Sequence, residues 1–182
     1  MGKFLYPYYL SLLELRPAFL FVFQSVLLYQ FAKISPPSLL DSGLPNYQIK
    51  DLYDNYIVSY KTAASQDYGL VDRTLRAAVV SEGTHSGLIL HSDQGAHYTA
   101  FSYKYFVDEN DIIPSMSRPG TPLDNACAEN FFSILKCECI YRQKIKSLKE
   151  AQELVDEYID YYNFQNKTGL TPYEQRQAAY AA

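Results

Sequence analysis

Cysteine is scarce in this 182-residue chain. The only three, Cys127, Cys137 and Cys139, cannot pair off into a full disulfide framework. Cys137 and Cys139 have no matching Cys or His pair elsewhere to complete four zinc ligands. Reduced thiols of this kind fit a cytoplasmic protein. A basic excess is missing as well: 16 Lys and Arg stand against 20 Asp and Glu, for a net charge of -4. That balance argues against a dedicated nucleic-acid binder, although it leaves room for a local basic stretch. No long apolar run is present either. The uncharged stretch from Pro17 to Ala32 includes Gln24, Ser25 and Gln30 and falls short of the roughly 20 apolar residues of a spanning helix. Glu14 and Arg16 would interrupt a secretory signal, and no small-x-small cleavage site follows.

What is present suits one globular domain with an appendage: 48% hydrophobic and 20% charged residues in a length typical of a single core. Residues 1–46 form an apolar segment of unknown structure, readable as a buried helix, a peripheral membrane contact or a stretch that belongs to no stable fold. Pro36 and Pro37 interrupt any regular element there, since neither can donate a backbone hydrogen bond.

From Tyr47 onward the pattern is regular. Tyr47–Tyr53 and Tyr56–Tyr60 read as strands joined by a tight turn at Asp54 and Asn55. Leu70, Val71, Thr74, Leu75 and Ala78 share one helical face, which predicts a helix over about 66–80. Leu88–His91 reads as a short buried strand, Thr99 as the cap of a helix running to about Val107, and Ile112 and Ile113 as the start of another strand. A helix over about 122–136 carries Ala126, Phe131, Phe132 and Leu135. A last one opens at Ser147 with Glu150 three residues on, and Thr168 to Pro172 ends it. The order predicts a mixed α/β layer architecture.

Two carboxylates stand out by position. Asp93 lies just past the strand 88–91, where side chains reach the crevice at the strand ends of an open α/β sheet. Gly95 is expected to let the backbone turn sharply there. Glu129 lies early in a helix, with thirty-five residues between it and Asp93. Carboxylates on separate elements can hold hard divalent ions, and two such ions about 4 Å apart can drive phosphoryl transfer. Each residue alone is more simply a turn acid or a solvated helix acid.

The combination is what carries weight. His91-Ser-Asp-Gln-Gly-x-x-Tyr98, the gap, and Ser117-x-x-Gly-x-x-x-Asp124-Asn125-Ala-x-x-Glu129-x-Phe-Phe-x-x-Leu-Lys136-x-Glu138 resemble the second and third catalytic blocks of insertion-sequence transposases. These are the OrfB-type enzymes with a core similar to retroviral integrases. The likeness extends upstream to Ile49–Tyr60 and downstream to Tyr161, Tyr162 and Asn163 and to Leu170–Glu174. It implies a ribonuclease-H-like α/β fold over 47–182 and Mg²⁺- or Mn²⁺-dependent cutting and joining of DNA at transposon ends. It also implies a homo-oligomer, or association with full-length transposase. By the same resemblance Asp93 and Glu129 are metal ligands, Asp124 and Asn125 shape the start of the Glu129 helix, and Arg118 and Lys136 contact DNA phosphate.

The family's first catalytic aspartate, on the first strand in a Thr-Asp-x-Thr context, has no counterpart. Phe23 to Lys33 contains no acid, Asp41 sits in a turn-like setting, and Asp51 and Asp54 match non-catalytic hairpin positions. The expectation is a core truncated at its N-terminus, lacking its first central strand and inactive. Three other readings stand beside it. One is an active enzyme that uses Asp41. Another is a non-catalytic binder of DNA or transposase acting as an inhibitor, supported by Lys136, Arg142, Lys144, Lys146 and Lys149. The last is a membrane-associated protein directed by residues 4–34.

Overall fold

The computed structural model describes residues 23–25, 46–63, 68–84, 86–118, 121, 126–165 and 169–181. The elements are β1 (Phe23–Ser25), β2 (Asn46–Lys50), β3 (Ile57–Thr62), α1 (Tyr68–Glu82), β4 (Ile89–Ser92), α2 (Ala96–Thr99), α3 (Phe101–Glu109), β5 (Ile113–Met116), α4 (Ala126–Glu138), α5 (Leu148–Gln165) and α6 (Pro172–Tyr180). A short 3₁₀ turn, Ile140–Arg142, joins α4 to α5.

β2 and β3 form the predicted antiparallel hairpin, with Asn55 in the left-handed region at φ 65°. β4 pairs in parallel with both β1 and β5. β1 also lies against β2, so the hairpin and the parallel strands meet along it. Where the expectation is a sheet without its first strand, a three-residue strand, β1, stands at one edge of the parallel set. The family's first-strand sequence is absent, yet Phe23, Gln24 and Ser25 stand beside Leu90, His91 and Ser92. Pairing with β4 needs only backbone donors and acceptors, which this uncharged stretch supplies.

Helices cover both faces. On one, Tyr47 and Ile49 of β2 and Leu90 of β4 pack with Leu70, Val71, Leu75 and Ala78 of α1 and with Tyr103, Phe106 and Val107 of α3. On the other, Ile57 packs with Phe131 and Leu135 of α4 and Ala151, Val155, Tyr158 and Ile159 of α5. The period-3.6 stripes read from the sequence are the faces these helices bury.

α5 also protects the backbone of β3. Asn163 Oδ1 accepts from the Ile57 N–H at 2.9 Å and its Nδ2 donates to the Ile57 carbonyl at 3.1 Å, while Gln152 Nε2 donates to the Thr62 carbonyl at 3.0 Å. These side chains satisfy strand groups that a bare edge would leave open. Two helical expectations change. Thr99 ends α2, and α3 begins after Ala100 without a side-chain cap. The stretch to Pro172 does more than end α5, because Thr171 and Glu174 form a reciprocal capping box that opens α6.

Candidate functional site

Asp93 directly follows β4, the middle strand of the parallel set, and is half-buried. Its Oδ1 accepts the Gly95 N–H at 2.8 Å, which fixes the turn from strand to α2. Gly95 has φ -58° and ψ 153°, an extended conformation open to any residue, so its contribution here is the N–H and not conformational freedom. The neighbouring strand is tied in closely. The Ser117 N–H donates to the Ser92 carbonyl at 2.9 Å, and the two ring nitrogens of His91 meet Ser115 Oγ at 3.0 Å and Ser117 Oγ at 3.1 Å. A neutral imidazole donates through one nitrogen and accepts through the other, and rotatable hydroxyls suit both. Ser115 of β5 and Ser117 at the start of the downstream block thus lock onto the strand that leads into Asp93.

Arg118 follows that clamp and is exposed. Glu129 occupies the fourth position of α4. Asp124 and Asn125 lie outside the described residues. Lys136, seven residues beyond Glu129, is half-buried, and burial holds its pKa below the ordinary lysine value. The other basic residues fall elsewhere: Arg142, Lys144 and Lys146 are exposed on the α4–α5 connection, and exposed Lys149 pairs with Glu153 at 3.5 Å.

β1 is the common neighbour of the two acid-bearing elements, pairing with β4 and touching α4. Its register sets Gln24 beside His91 and Ser25 beside Ser92, one residue short of Asp93. A two-ion site needs a bridging acid, and β1 brings two neutral residues to that place. Among the described residues no group of three or more His, Cys, Asp or Glu is assembled to hold a metal ion. Among the described residues the donors beside Asp93 do not by themselves make up a site for a pair of divalent ions.

The layered α/β arrangement is that of an integrase-type core, and comparison with known proteins agrees. The integrase core domain family matches residues 41–122, and a second integrase core domain family matches 129–179. The putative transposase InsK for insertion sequence element IS150 of Escherichia coli (strain K12) is 38% identical over 134 residues, covering 71% of this chain and 47% of that protein. The catalytic core domain of BIV integrase superposes with TM-score 0.63 at 14% identity, over 88% of this chain and 97% of that one. The HTLV-2 integrase catalytic core domain in complex with magnesium gives TM-score 0.56 at 12% identity, over 84% of this chain and 93% of that one. The chain has an integrase core domain and is similar to insertion-sequence transposases, and its fold is ribonuclease-H-like. It spans about half the length of the curated relative it matches. Among the described residues no helix is long and apolar enough to cross a membrane.

Proposed function

We propose that this chain is a transposase catalytic core that no longer cuts or joins DNA. The observation that carries this reading is the register of β1: the strand beside Asp93 offers Gln24 and Ser25 in place of an acid. In this reading Asp93 and Glu129 are the retained ligands of the family's Mg²⁺ or Mn²⁺ site, and Asp124 and Asn125 frame the Glu129 helix. Gly95 holds the Asp93 carboxylate through its N–H. Arg118 and Lys136 face the phosphates of transposon-end DNA. Residues 1–46 are then a segment of separate origin that fills the first-strand position, and 47–182 are the inherited core. The partners are DNA and a second transposase copy, in the cytoplasm, where Cys137 and Cys139 stay reduced.

The test is a strand-cleavage assay on transposon-end DNA with Mg²⁺ or Mn²⁺. The native chain should give no product above background, and cleavage by it would sink the proposal. Gln24→Asp should produce metal-dependent cleavage that Asp93→Asn then abolishes.

The exposed cations on the α4–α5 connection favour a second reading, a non-catalytic DNA binder that occupies ends or pairs with intact transposase. It predicts salt-sensitive binding without cutting, its salt slope falling by about 1 for each phosphate-contacting cation removed.

A further inference from the structure

Away from the acids, Arg176 of α6 gathers three carboxylates. Its Nε donates to Asp54 Oδ2 at 2.7 Å, its Nη1 to Glu82 Oε1 at 2.8 Å and its Nη2 to Asp51 Oδ2 at 3.0 Å. The side chains of Asp51, Asp54 and Arg176 are 7%, 4% and 7% exposed, and that of Glu82 is 14% exposed. The guanidinium lies 4.3 Å from the centre of the Tyr56 ring. The remaining oxygens of the two aspartates accept the Tyr53 and Tyr56 N–H groups, each at 2.8 Å. The cluster joins the β2–β3 turn, the end of α1 and the C-terminal helix.

Three ionised carboxylates around one guanidinium leave two uncompensated negative charges in a place with little water, which is costly. Asp51 itself meets Asp54 and Arg176, and around the rest of the cluster the turn presents Tyr56, α1 presents Glu82, α5 presents Asp160 and Tyr162, and α6 presents Tyr180. Lys50, next in sequence, has its ammonium 5.8 Å from the Tyr162 ring centre.

We propose that this cluster is a proton-operated latch, in which a proton on Asp51 keeps α6 docked against the hairpin and its release loosens that helix. Asp51 is the natural place for the proton, because its bond to Arg176 is the longest of the three. Burial pushes its pKa up to about 7, with the charge of Asp54 adding to the rise and the Tyr53 N–H and Arg176 opposing it. A folded-state value above the ordinary 3.8 means that this group's contribution to docking is complete at low pH and is lost as pH rises through about 7. The inference does not depend on the state of the metal site.

Hydrogen exchange on the full chain tests it, with rates corrected for intrinsic chemistry. Between about pH 6 and about pH 8, opening of α6 should rise about tenfold relative to α5. Asp51→Asn, which cannot ionise, should remove that dependence. Equal changes in α5 and α6, or an unchanged dependence in Asp51→Asn, would overturn the proposal. If that variant does not fold, a carbon-13 titration of the native Asp51 carboxyl decides: a midpoint near 7 supports the latch and one near 4 overturns it.

Discussion

Two regions of this core treat carboxylates in opposite ways. At the end of β4 the proposed site has two acids, Asp93 and Glu129, and the strand paired with β4 brings Gln24 and Ser25. Elsewhere one arginine of α6 collects three acids, two from the turn and one from α1. Too few negative charges would, on the proposed reading, remove a function without threatening the fold, because a neutral β1 still pairs its backbone. Too many buried charges threaten the fold itself, because each must be matched or protonated. The inherited stability therefore depends on the second region, and the inherited chemistry on the first.

The largest effect should come from Arg176→Leu, which strands three carboxylates. A loss of about 3–5 kcal/mol is expected in urea denaturation. A loss under about 1 kcal/mol would show that water reaches the cluster and would erase the contrast. Asn163→Ala removes both bonds to Ile57 and should cost about 2–3 kcal/mol by the same measurement, because a buried N–H and carbonyl lose their partners. Gln48→Met sharpens the comparison from the other side. Gln48 is fully buried with neither amide atom hydrogen-bonded, so an apolar side chain of similar size should stabilise by about 1 kcal/mol. The smallest effect belongs to exposed cations: Arg142→Ala with Lys144→Ala and Lys146→Ala should move stability by less than about 0.5 kcal/mol. A clear stability loss in that triple variant would mean that the connection is structural and not a free basic surface.

Much of the fold is legible in residue order. The alternation in β2 and β3, the stripes of α1 and α5 and the order of elements follow from local periodicity. Asp93 and Glu129 emerge from strand and helix context together with motif spacing. Other features escape a reading of residue order for identifiable reasons. Residues 23–25 carry no strand signature of their own, and their pairing is set by the place open beside β4. α6 is short and mostly polar, so no apolar stripe announces it, although Thr171 and Glu174 display the capping-box spacing. Asp51 and Asp54 look like ordinary turn residues because their partner Arg176 is 125 and 122 positions away.

Lineage and the missing acid are matters of residue order, since a residue type is either present in a motif or it is not. The apolar faces of the helices follow in the same way, because they depend on a period of a few residues. Packing in three dimensions adds what residue order leaves open: a neutral strand lies against β4, and one C-terminal arginine holds three distant carboxylates. Those outcomes depend on which backbones and charges are brought within about 3 Å of each other when sheet and helices pack, and no local pattern encodes that.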